Sequence, residues 1–138
     1  MSEYQPEKAT LRAMLGKAEA KLAAAAKDLQ DGFYDEAASR AYYATFHAVS
    51  AVLAQRGLTF SSHAQVLGAF NRELVKPGLF PPDAFRRIQR LFEDRQIGDY
   101  EWNRTVDQET AEQDLADARW LVKTCREYID KTAGESLS

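Results

Sequence analysis

Histidine and cysteine are almost missing from this chain, and their scarcity removes several chemistries at once. Among 138 residues there are two histidines, His47 and His63, and one cysteine, Cys125. No pair of these has zinc-ligand spacing, and neither histidine follows a glutamate three residues earlier, as helical-bundle di-iron sites require. No metal or cofactor is therefore expected. A lone cysteine forms no internal disulfide, which points to a reducing compartment. β-Branched apolar residues are also few: six valines and three isoleucines stand against 22 alanines, so strands are disfavoured throughout. No apolar run approaches the ~18 residues of a membrane span, and Met1 to Pro6 has neither the basic nor the apolar part of a leader. The expectation is a cytoplasmic protein without a membrane anchor. There is no glycine-rich phosphate loop and no G-x-S-x-G elbow; the isolated glycines read as helix ends. With a net charge of −3, the chain is not a bulk polycation that coats nucleic acid.

What remains is an alanine-rich, amphipathic sequence, 45% hydrophobic and 28% charged, as a globular domain should be. Glycine and proline divide it into helices. Pro6 opens a first helix ending near Gln30 before Asp31-Gly32, with Leu11, Leu15, Ala18, Leu22, Ala25 and Leu29 at helical spacing. A second helix is predicted from about Phe33 to Gln55, closed by Arg56-Gly57. A third starts at Ser61-Ser62, where Ser62 and Gln65 have capping-box spacing, and stops before Pro77-Gly78. Pro81-Pro82 opens a fourth that ends around Gly98, and a fifth begins near Thr105 to Asp107. The fold class expected is all-α, an up-and-down antiparallel helical bundle of four long helices plus one shorter helix. Residues 1–132 should form a single domain and residues 133–138 a disordered tail.

Two places depart from plain amphipathicity. On the second helix, Glu36, Arg40, Tyr43, His47 and Ser50 fall within about 80° of one another, between two apolar flanks. This polar seam either meets solvent, with Glu36 and Arg40 as an i,i+4 pair, or lines a groove or a subunit interface. On the fourth helix, the stripe of Phe85, Ile88, Leu91 and Phe92 runs one turn further onto Arg95. A guanidinium that extends an apolar seam must find a partner or reach an opening. Arg95 should point inward, towards the Glu36, Arg40, Tyr43, His47 seam. The other candidates read as structural: His63 as an exposed or capping residue, Trp102 and Trp120 as core or interface anchors, and Cys125 as a packed thiol.

The string Ser39-Arg40-Ala41-Tyr42-Tyr43-Ala44-Thr45-Phe46-His47-Ala48, then Ser62-His63, then Arg95 followed by Asp99-Tyr100, resembles the small prokaryotic HEPN domains. The resemblance implies a homodimeric helical bundle that binds RNA or nucleotides, often as the toxin partner of a minimal nucleotidyltransferase. It also implies, as an alternative, a metal-independent endoribonuclease whose motif is an arginine followed four to six residues later by a histidine. Arg95 matches that arginine. Four residues intervene and Tyr100 then stands where the histidine would be. The active-site set that the resemblance implies is Arg95, Asp99 and Tyr100; Glu36, Arg40, Tyr43 and His47 are the candidate nucleotide- or RNA-binding or interface set.

Overall fold

The computed structural model describes residues 7–136. Five helices follow in chain order: α1 (Lys8–Gln30), α2 (Tyr34–Gln55), α3 (His63–Phe70), α4 (Ala84–Tyr100) and α5 (Gln108–Ser136). A π-helical turn over Asn71–Val75 prolongs α3, and no strand occurs among the described residues. The chain is an all-α up-and-down bundle of four long helices plus one shorter helix.

Local chemistry explains most of the boundaries. Gly32 and Gly57 take φ values of 83° and 80°, a left-handed conformation that glycine adopts without penalty, and α1 and α2 stop just before them. Ser62 Oγ accepts the Gln65 backbone N–H at 3.1 Å and caps α3, while Asp107 Oδ1 accepts the Thr110 N–H at 2.8 Å ahead of α5. Pro6, expected to open α1, lies outside the described residues. Three expectations need correction. Helix α4 runs past Gly98 to Tyr100, so Asp99 and Tyr100 belong to its last turn. Gly16, Gly68 and Gly98 lie inside helices, not at their ends. Helix α5 continues to Ser136, so residues 133–136 are helical and not tail; residues 137–138 lie outside the described residues.

Helix α2 is the axis of the bundle, packed against α1, α3, α4 and α5. Its buried positions are largely alanine (Ala37, Ala38, Ala41, Ala44, Ala48, Ala51 and Ala54), which lets neighbouring backbones approach closely. Tyr42, Val49, Val52 and Leu53 fill the remaining space, each aliphatic burial contributing about 1.5–3 kcal/mol. At Gly98 the backbones come close: a Cβ would sit 3.0 Å from the Asp35 carbonyl oxygen. That contact lays the end of α4 directly on the start of α2. The Asp35 carboxylate also accepts the Val106 N–H at 2.8 Å and ties the α4–α5 connection to the same corner.

Further up, α4 is bound to α5 through charge. Asp117 is 1% exposed and accepts hydrogen bonds from Arg87 at 3.1 Å and from Arg90. Arg87 also donates to Asp83 at 2.9 Å and lies over the Trp120 ring at 4.4 Å. Asp114, fully buried one turn away, has no donor for either oxygen, and neither has Asp94 Oδ2. Burial first, then Asp94, push the Asp114 carboxyl up to about 9. A proton retained on Asp114 converts two clashing acceptors into a carboxyl–carboxylate hydrogen bond, which accounts for the pair at neutral pH.

Candidate functional site

Ile88 and Leu91 of α4 are buried in the core and Phe85 and Phe92 pack against it, so the same helix face carries Arg95 inward towards α2. Arg95 is only 6% exposed. Its Nη1 donates to the Tyr43 hydroxyl at 2.7 Å. Its ion-pair partner among the described residues is Asp99, with Oδ2 3.7 Å from Nη1. That is about 1 Å longer than a charge-assisted hydrogen bond. Nε is buried and meets no acceptor. Rings supply the rest of the surroundings. The guanidinium carbon lies 5.0 Å from the Tyr42 centroid, 5.4 Å from those of Tyr43 and Phe92, and 5.6 Å from that of Tyr100. Aromatic faces attract a cation without neutralising it. A buried arginine with one long ion pair and an unmet Nε leaves hydrogen-bonding capacity that the fold does not use, and a guanidinium's planar fork is of the shape that phosphate fits.

His63 belongs to the same enclosure, which the sequence did not suggest. The cap of α3 is Ser62, and the His63 ring instead stacks on Phe46 at 4.2 Å and on Tyr42 at 5.6 Å, with Tyr43 edge-on at 5.8 Å. Tyr42 Oη and His63 Nδ1 are 2.6 Å apart. Burial and, secondarily, the Arg95 charge lower the His63 pKa from its ordinary 6.5, so the ring is neutral at pH 7. Burial raises Tyr42 far above its usual range and keeps it a phenol. The i,i+4 pair Tyr42 and Phe46, read from sequence as an apolar flank, is one wall of this box.

The polar seam of α2 does not act as a unit. Tyr43 reaches Arg95. Arg40 turns instead to Asp28 of α1 at 2.9 Å, so the expected Glu36–Arg40 pairing gives way to an interhelical bridge. Glu36 and Arg40 line a shallow groove of about 130 Å³ beside Asp99, into which Ser39 Oγ donates to Asp99 Oδ2 at 3.4 Å. His47 is held apart, against the α1 side: burial, then Lys17 and Lys21, lower its pKa. Asp99 and Tyr100 flank Arg95 from the last turn of α4, Tyr100 being 63% exposed. Trp102 is 96% exposed, so it is no core residue, whereas Trp120 packs on the core. Cys125 is fully buried, and burial pushes its thiol up into an unreactive range.

The HEPN domain family matches residues 11–128. The chain belongs to the HEPN domain family. A UPF0332 protein of Thermotoga maritima is 50% identical over 64 residues, 46% of this chain and about half (48%) of that relative's length. "Putative toxin MJ0142" of Methanocaldococcus jannaschii is 30% identical over 122 residues, covering 88% of this chain and 83% of its own. The crystal structure of TT1696 from Thermus thermophilus has the same fold, with a TM-score of 0.73 at 20% identity over 86% of this chain and 97% of that one. On this HEPN bundle, Arg95, Asp99 and Tyr100 gather at one end of α4, and His63 of α3 lies against the Tyr42 and Tyr43 rings that also face Arg95. No helix among the described residues is long and apolar enough to cross a membrane.

Proposed function

We propose that this HEPN protein binds RNA or a nucleotide through a phosphate at Arg95, as the toxin-side partner of a minimal nucleotidyltransferase. The observation that carries the reading is the incomplete partnering of Arg95: a guanidinium more than nine-tenths buried, with an idle Nε and an ion pair of 3.7 Å. A phosphate takes up the cation that the distant Asp99 leaves weakly paired, Tyr43 steadies the guanidinium, and the exposed Tyr100 ring offers a stacking face for a base. The toxin name of the Methanocaldococcus relative supports the toxin side of this reading. Exposed Phe33 and Trp102, around the corner where α2 starts and α4 ends, supply apolar surface for a two-fold contact between copies. Fluorescence anisotropy with a labelled mixed-sequence oligoribonucleotide, in EDTA, tests the binding. Saturable binding by wild type and its loss in Arg95→Ala is the expected result. Equal binding by both proteins contradicts the assignment. Sedimentation at micromolar concentration tests the homodimer, and copurification with a co-expressed nucleotidyltransferase tests the partner.

A second reading, metal-independent endoribonuclease, is favoured by one specific observation. A neutral histidine shares the aromatic box of Arg95, although the Arg95-x4-Tyr100 segment itself has none. Tyrosine, with a reference pKa near 10, is a poor proton acceptor at neutral pH. Release of a 2′,3′-cyclic phosphate end from RNA in EDTA is the outcome that distinguishes cleavage from binding.

A further inference from the structure

We infer that the outer groove between α1 and α5 is a docking site for an acidic amphipathic helix of a partner protein. No residue of α2, α3 or α4 lines this groove, so it is separate from the Arg95 box and does not depend on RNA binding there. Two hollows, of about 170 Å³ and 450 Å³, lie end to end along it. Helix α1 gives Leu11 and Leu15 to the first and Leu22 to the second; α5, running the opposite way, gives Ile129 to the first and Val122 to the second. Glu19 of α1 and Arg126 of α5 are bridged at 3.0 Å on the same groove. From Lys8 to Ala23, successive turns of α1 face it. At about 1.5 Å per residue that is roughly 22 Å, room for about four turns of a third helix.

Charge gives the occupant its sign. Lys8, Arg12, Arg119, Lys123 and Arg126 line the rims against two acids, Glu19 and Asp130, in a chain whose net charge is −3. Glu19 is already taken by Arg126. Among the described residues, the side chains of Lys8, Arg12, Arg119 and Lys123 make no ion pair and no hydrogen bond. Arg119, Lys123 and Arg126 recur at i, i+4 and i+7, so they stand about one turn apart on one face of α5. Carboxylates at the same spacing on an opposing helix match them, and such rim charges set association rate and partner choice. The floor selects a helix over a phosphate backbone. Leu11, Leu15, Leu22 and Ile129 belong to the core and keep 7%, 6%, 9% and 5% of their surface open. Two helices side by side leave a groove that takes the side-chain ridge of a third, and an amphipathic helix supplies that ridge with apolar residues three or four apart. A phosphate backbone brings no apolar ridge to such a floor.

The probe is a labelled helical peptide of about 16 residues, with leucines three and four apart and glutamates on both flanks; its control has lysine for every glutamate. Anisotropy is read for wild type, for Arg119→Glu with Lys123→Glu, for Lys8→Glu with Arg12→Glu at the other end of the groove, and for Arg95→Ala. Far-UV circular dichroism runs in parallel, and the second charge reversal serves where the first fails to fold. The expected result is saturable binding of the acidic peptide by wild type and Arg95→Ala alike. Each charge reversal should weaken it about 10-fold or more, and the lysine peptide should show the opposite order of affinities. Equal binding of the two peptides by wild type overturns the inference, as does no binding of the acidic peptide at millimolar concentration. Reversals that leave peptide binding intact and instead reduce affinity for the labelled oligoribonucleotide make the groove a nucleic-acid track and overturn it too. Loss of peptide binding in Arg95→Ala moves the peptide to the Arg95 box, with the same consequence.

Discussion

Helix α4 carries the same side chain in two opposite situations. Arg87 and Arg90 are closely paired: the buried Asp117 takes both, and Arg87 has Asp83 and the Trp120 face besides. Arg95, hardly more than one turn later, is far more buried, yet its Nε meets nothing and its carboxylate stands off at 3.7 Å. The first cluster spends its cations on joining α4 to α5. The second keeps its cation in reserve behind aromatic walls. On the proposed reading, what marks a ligand-binding arginine is not burial alone but burial with unmet hydrogen-bonding capacity.

The contrast implies a double dissociation between ligand binding and stability. The largest effect belongs to Arg95→Ala, which should lower RNA affinity about 10- to 100-fold or more, about 1.4–2.8 kcal/mol, in anisotropy, with helical circular dichroism retained. Arg95→Lys should recover only part of it, because an ammonium lacks the planar fork. Asp117→Ala should do the reverse. Removing one partner of a buried ion network costs about 3–5 kcal/mol when all members are enclosed. Arg87 and Arg90 have side chains 30% and 43% exposed, so a loss of about 2–3 kcal/mol in urea unfolding is expected, with RNA affinity of the folded protein intact.

The third effect is a slope. Asp114 holds its proton in the folded state up to about 9, against an ordinary 3.8, so between these values the folded protein binds more protons than the unfolded chain. Stability from this group is therefore present below about pH 4 and declines as pH rises towards 9. Asp114→Asn, which cannot ionise, should flatten that decline, and its advantage over wild type in urea melts should widen from about pH 5 to about pH 8. The smallest effect is that of Arg40→Ala. Its bridge to Asp28 is half-exposed, so it should cost no more than about 1 kcal/mol. RNA affinity should change little, since Arg40 does not reach the Arg95 box.

Helical periodicity, glycine stops and the Ser62 cap made the bundle legible in the sequence, because each is a local signal. The inward placement of Arg95 was legible too, since the stripe of Ile88 and Leu91 is continued by its register. The partners were not. Arg40 meets Asp28, and Tyr42 meets His63, across helices whose relative rotation no single-helix pattern specifies. His63 sits beside a strong capping serine, and the local signal masked a tertiary role. Trp102, a core or interface anchor by residue type, stands in solvent beyond the end of α4, which removes the core alternative alone.

The most direct test is the melting temperature of wild type and Arg95→Ala with and without saturating oligoribonucleotide. A ligand that binds only the folded state at about 100 times its Kd adds about 2.7 kcal/mol of stability. The account predicts that wild type shifts upward by that amount, that Arg95→Ala melts close to the free wild type, and that RNA leaves it unmoved. An Arg95→Ala protein that is unfolded without ligand, or one that gains the full shift with it, would make Arg95 a structural residue and contradict the account.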